Sequence, residues 1–118
     1  MNKVFIVEPV RRKLDISLAK EHGDLEFIFP SNERRSSVFD PPEFSKDILS
    51  ALVEKEFDRE NDAVCIAGSF IVIVSAVATI LLEYKRIRVL FFNAAENRYV
   101  SKWIGHNNAV QKNETIAQ

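Results

Sequence analysis

Three glycines, two histidines and one cysteine set tight limits on the chemistry open to this 118-residue chain. Gly23, Gly68 and Gly105 stand far apart. A Walker-type phosphate loop or a dinucleotide fingerprint needs glycines close together, so that backbone amides can approach phosphates, and neither can be built here. His22 and His106 are isolated in polar stretches and read as solvated surface residues. No Ser–His–Asp set is available for nucleophilic catalysis. Cys65 lies in an apolar run and reads as a small buried hydrophobe. A lone cysteine forms no internal disulfide and no cysteine zinc site. No catalytic residue, no metal ligand and no cofactor is therefore assigned.

The remaining candidates are positional. In a parallel sheet, ligands bind outside the carboxyl ends of the strands, at the point where strand order reverses. Glu8 ends the first apolar run, Gly68-Ser69 opens a long uncharged segment, and Asn93 ends the fourth run. The first N–H groups of a helix starting at Ser69 could hold an anion. Arg11, Arg12 and Lys13 follow the first run, and Arg34 and Arg35 follow the second. Five cations would thus gather on one rim of a nearly neutral protein. This spacing suggests binding of a phosphorylated ligand or a nucleic-acid backbone through Glu8, Arg11, Arg12, Arg34, Arg35, Gly68, Ser69 and Asn93. The plainer reading takes precedence: solvated loop charges, a glycine for a tight turn, a serine N-cap, and a strand-end glutamate hydrogen-bonded locally.

The elements that must position these residues follow from hydrophobic patterning. Lys3–Glu8 and Leu25–Phe29 read as buried strands. Leu14–His22 between them reads as a short helix, with Asp15 as N-cap and Gly23 as its left-handed stop. Asp40-Pro41-Pro42-Glu43 combines an N-cap, a first-turn proline and a capping-box glutamate, and predicts a helix to about Glu54–Phe57. Asp62–Ala67 is a third strand, Arg86–Phe92 a fourth, and Arg98–Ile104 a fifth, antiparallel at the edge.

Between the third and fourth lies Phe70–Lys85, apolar on almost every side. Phe70, Ile73, Val74, Val77, Leu81 and Tyr84 form its main stripe, and Val72, Ser75, Ala76, Thr79 and Glu83 a smaller one. Such a helix is usually covered on two faces, the second cover being another helix, the C-terminal tail or a second subunit. A hairpin across Gly68-Ser69, with Phe70–Val74 as a strand, is the alternative. The uncharged run Ala63–Leu82 also has the length of a transmembrane helix. The Gly-Ser corner within it and the strands around it favour the folded-domain reading.

The order β-α-β-α-β-α-β-β predicts an α/β protein of the Rossmann-like, flavodoxin-like kind. Its expected sheet order is 2-1-3-4-5 with strand five antiparallel, helices lying on both faces. Residues 1–104 form the expected single domain and residues 105–118 a polar tail. The formal net charge of −1 argues against a general nucleic-acid binder. The N-terminal apolar run is too short for a signal peptide, and a cytoplasmic, reducing setting is expected. In the C-terminal hairpin, Trp103, Phe91, Phe92 and Tyr99 read as core packing rather than a partner surface.

Two known families fail on their chemistry. Ile6-Val7-Glu8 resembles the start of a toprim domain, but Pro9 stands where that family needs glycine, and no D-x-D pair exists to hold magnesium. A response-regulator receiver needs an aspartate where this chain has Ala67-Gly68. Asp62-x-Val-x-x-x-Gly68-Ser69, the apolar segment after it and RVLFFNAAENRYV resemble small α/β proteins carried by tailed phages. That resemblance covers about the last half of the chain and carries no activity with it. The expectation is a small non-enzymatic binding or protein-interaction module, partnered by itself as a homodimer or by another protein. The alternative is an enzyme or sensor of a nucleotide or other phosphate ligand at the Gly68-Ser69 rim.

Overall fold

Short β-branched and aromatic runs supply the strands, and the two longer apolar segments supply helices. The computed structural model describes residues 2–9, 16–29 and 39–105. Strands β1 (Lys3–Ile6), β2 (Asp24–Phe27), β3 (Ala63–Cys65), β4 (Arg86–Asn93) and β5 (Arg98–Gly105) form one sheet in the order β2-β1-β3-β4-β5. The first four are parallel, and β5 returns antiparallel to β4. This is the expected α/β architecture and strand order.

Right-handed crossovers decide which helix covers which face. The step from β1 to β2 runs one way along the sheet, and the steps to β3 and β4 run the other. The 3-10 helix Ile16–His22 therefore lies on one face, and α1 (Pro41–Glu54) and α2 (Phe70–Tyr84) on the opposite one. Phe5, Val64, Ile87 and Val89 from the strands pack with Phe44, Ile48 and Leu52 of α1 and Val72, Ala76 and Ile80 of α2. On the other face Val4, Ile6, Ala63, Cys65, Leu90 and Tyr99 enclose Ala19. The first helix, expected as an α-helix from Leu14, is a 3-10 helix over Ile16–His22, and its expected cap Asp15 lies outside the described residues. Gly23 follows at φ 154°, where an added Cβ would stand 2.7 Å from the Asn2 carbonyl oxygen. The chain's first residues cross that close, so glycine is required there.

Two local expectations are corrected. Asp40 precedes α1 with φ −128° and ψ 86°, and its side chain makes no capping bond. Pro41 and Pro42 occupy the first two helical positions and remove two of the orphan N–H groups, Pro42 one that such a cap would satisfy. Glu43 faces Lys46 instead, at 3.6 Å. Residues 70–84 are helical throughout, so the hairpin alternative is discarded. The stripe that meets the core is the smaller one: Val72, Ala76, Thr79 and Ile80 are buried, whereas Phe70 and Val74 are exposed. Small side chains let α2 approach α1 closely, and the Thr79 and Ser45 hydroxyls share a hydrogen bond of 2.7 Å between the two helices. No helix among the described residues is long and apolar enough to cross a membrane.

The amino ends of the strands are fastened by Asp62, which is 3% exposed. Its carboxylate accepts the Lys3 backbone N–H at 2.9 Å and the Asp58 backbone N–H at 2.8 Å. The Lys3 ammonium donates to the Lys55 carbonyl at 2.9 Å. Above this lie three rings in series. Phe5 meets Phe57 edge-on at 5.4 Å, and Phe57 meets Tyr84 edge-on at 5.0 Å. Asp62, Phe57 and Tyr84 thus tie β3, the α1–β3 connection and the end of α2 to the centre of the sheet.

Candidate functional site

The strand order places the switch point between β1 and β3, as the parallel-sheet rule requires. Ile6 pairs with Cys65, so Glu8 and Gly68 both lie just beyond the ladder at the same end of adjacent strands. Glu8 is half-buried there. Gly68 has φ 131°, and an added Cβ would find only Ile73 at ordinary contact distance. The glycine is needed for its backbone conformation, not for space. Ser69 takes an extended conformation as the N-cap of α2, but its side chain makes no capping bond. Its Oγ is buried without a hydrogen-bond partner.

Asn93 also lies at the carboxyl end, on β4, but its side chain is engaged. The Asn93 Oδ1 accepts the Ala95 N–H at 3.0 Å and the Glu96 N–H at 3.3 Å, which shapes the turn into β5. The rim thus brings together Glu8, Gly68 and Ser69. Arg11, Arg12, Lys13, Arg34 and Arg35 lie outside the described residues. Among the described residues no group of three or more His, Cys, Asp or Glu side chains could hold a metal ion.

Cys65, the one candidate thiol, is fully buried. Burial pushes its pKa up to about 11 from an ordinary value of 9.0, and a hydrogen bond with the Tyr99 side chain partly offsets this. The thiolate is the nucleophilic form, so this group is chemically inert at neutral pH. A group that holds its proton more tightly when folded stabilises the fold below its unfolded pKa and loses that contribution as pH rises through the folded one. Stability should therefore fall between about pH 9 and 11, by about 3 kcal/mol at one pKa unit per 1.4 kcal/mol. Tyr84, whose pKa burial and then Glu83 also raise, adds loss in the same direction. Urea unfolding across that range checks this, with Cys65→Ala expected to flatten the slope. An equally steep slope in the variant would exclude Cys65 as its cause.

Sequence reasoning misplaced three side chains. His22, expected to be solvated, is half-buried, with Nε2 at 3.0 Å from the Tyr99 carbonyl oxygen and 3.4 Å from Glu21 Oε2. Trp103, expected in the core, is 41% exposed. It stands on the sheet face beyond the reach of the seven-residue 3-10 helix, directly across from Arg88. The guanidinium carbons of Arg86 and Arg88 lie 4.4 and 4.9 Å from its ring centroid, and Arg86 also pairs with Glu60 at 2.8 Å. These contacts make Trp103 a clasp between β4 and β5. Phe91 is likewise partly exposed, whereas Tyr99 is buried as expected, with Phe92 edge-on to it at 5.4 Å.

The most conspicuous surface is one the sequence marked as buried. Along the outer side of α2, Phe70 is 82%, Val74 47% and Leu82 77% exposed, with Ile71 and Ala78 exposed between them. Spaced four residues apart, Phe70, Val74, Ala78 and Leu82 form one line along the helix. No charged side chain interrupts it from Phe70 to Leu82.

Fold and surface together define a small three-layer α/β protein with flavodoxin-like strand order and an apolar outer helix. The family model of the Phage Pam3 gp32-like proteins matches residues 2–104, and the chain belongs to that family, a family of phage proteins. No curated protein and no solved structure matches the chain.

Proposed function

We propose that this protein is a non-enzymatic protein-interaction module that docks through the outer face of α2. The observation that carries this reading is the exposure of Phe70, Val74 and Leu82 on one uncharged line. Isolated exposed apolar residues are ordinary, but a contiguous apolar face on a helix marks an interaction surface. Leaving such residues in water forgoes about 1.5–3 kcal/mol of burial for each large side chain, which a bound partner recovers. A photo-crosslinking residue at position 74 should give discrete adducts in phage-infected cells, where the same residue at exposed position 46 of α1 gives none. Equal labelling at both positions, or none at either, would refute docking at α2.

A second reading rests on Ser69, whose buried Oγ lacks a partner at the start of α2. Helix N-terminal N–H groups and a free hydroxyl suit a phosphate-bearing small molecule. Inorganic phosphate or nucleotides should then raise the melting temperature, and Ser69→Ala should abolish the rise. If no nucleotide, phosphosugar or phosphate shifts the wild-type protein, the rim is not a ligand site.

A further inference from the structure

We propose that the partner on the outer face of α2 is a second copy of this chain, held across a two-fold axis with the two α2 helices antiparallel. This rests on the docking reading above and names its occupant. The line Phe70, Val74, Ala78, Leu82 is its own antiparallel complement. A two-fold axis beside residue 76 sets Phe70 of one copy against Leu82 of the other, and Val74 against Ala78. The small Ala78 next to the axis lets the two backbones approach closely, and the large residues close the two ends. Homodimer interfaces are isologous, so a surface must match its own reversed image, and this one does. Because the face is uncharged, self-pairing sets no like charges against each other.

Among the described residues, the surroundings leave room for such a neighbour. Thr79 and Ser45 mark the flank of α2 that is closed by α1. On the opposite flank Leu81 lies against Gly105 at the end of β5, the last strand of the sheet, and no further helix stands there among the described residues. Phe91 is 38% exposed and alternates along β4 with the core residues Ile87 and Val89, so it shares the helical face of the sheet. A fully buried Phe removes roughly 150–250 Å² from water. At the observed exposures, Phe70, Ile71, Val74, Ala78, Leu82 and Phe91 offer on the order of 500 Å² per copy. The pair would bury about 1,000 Å², the lower bound for a specific interface, which sets the expectation of a weak, concentration-dependent dimer.

Sedimentation equilibrium of the purified chain over a concentration series should show reversible dimerisation. Leu82→Glu, at a side chain exposed in the single copy, should weaken it on the order of 100-fold while circular dichroism stays unchanged. For the register, Phe70→Cys and Leu82→Cys combined in one chain should oxidise to a dimer carrying two 70–82 crosslinks. Within one copy these positions are about 18 Å apart along the helix, too far for a disulfide. A strict monomer at all concentrations, a dimer indifferent to Leu82→Glu, or crosslinks only between like positions would each overturn the proposal. Failure here is distinguishable from failure of the docking reading. Adducts from position 74 that contain a different protein would leave α2 as a docking face and remove the second copy as its occupant.

Discussion

Asp62→Ala is expected to destabilise the protein by about 3 kcal/mol, because two part-buried backbone N–H groups lose a charged acceptor. The carboxylate receives the N–H of Lys3 at 2.9 Å and that of Asp58 at 2.8 Å, one at the start of β1 and one in the loop before β3. The acceptor itself is buried, Asp62 being 3% exposed, whereas Lys3 is half-buried and Asp58 lies at the surface. Removing the acceptor costs both charge-assisted bonds and leaves the half-buried Lys3 N–H poorly solvated. Asp62→Asn should lose less: one amide oxygen can still accept, while the amide nitrogen meets a donor. The reading is the urea midpoint at constant slope, which separates stability from compactness. If Asp62→Ala unfolds within half a kcal/mol of wild type, water has replaced the carboxylate and the fastening is incidental.

Phe5→Ala should remove about 4 kcal/mol, within the usual range for deleting a fully buried aromatic. Phe5 has no exposed surface, and its ring begins the series that continues through Phe57 to Tyr84. The deletion opens a cavity between the sheet and the two α-helices and also breaks an edge-to-face pair worth about 0.5–1.5 kcal/mol. Phe5→Leu retains most of the apolar volume and should lose roughly half as much. Small domains are stable by only about 5–15 kcal/mol, so the alanine variant is expected to melt well below the wild type. A thermal midpoint equal in the leucine and alanine variants would show that the ring pair, not the cavity, sets the loss.

The fold was legible because its determinants are local. Each strand is a short apolar run bounded by Gly, Pro or polar residues, and the crossover rule then fixes the sheet order with little freedom. What remained hidden depends on contacts between distant parts of the chain. Asp62 reads as an ordinary strand-start residue until Lys3 is brought to it from 59 positions away. His22 reads as solvated until Tyr99 arrives across 77 positions. The orientation of α2 failed for a different reason. Both of its stripes are apolar, and periodicity cannot tell which one faces inward. Side-chain size decided it, because Ala76 and Thr79 permit a close approach to α1 and Phe70 does not. At the rim, the strand order sets Glu8 and Gly68 at the same end of adjacent strands, whereas the engagement of Asn93 in its own turn follows from the loop length after β4.

The position of β1 has a kinetic consequence. It is the first strand in the chain and lies fourth from the β5 edge only because later segments close around it. Its pairing with β3 joins residues such as Val4 and Ala63, a sequence separation that raises contact order and slows the rate-limiting search. The β4–β5 hairpin, by contrast, closes through the local turn 94–97 and can form within microseconds. The last event in assembly should then be insertion of β1 between β2 and β3. Substitutions at Val4 and Ile6 would consequently accelerate unfolding more than they retard folding, and those at Leu90 and Tyr99 would do the reverse.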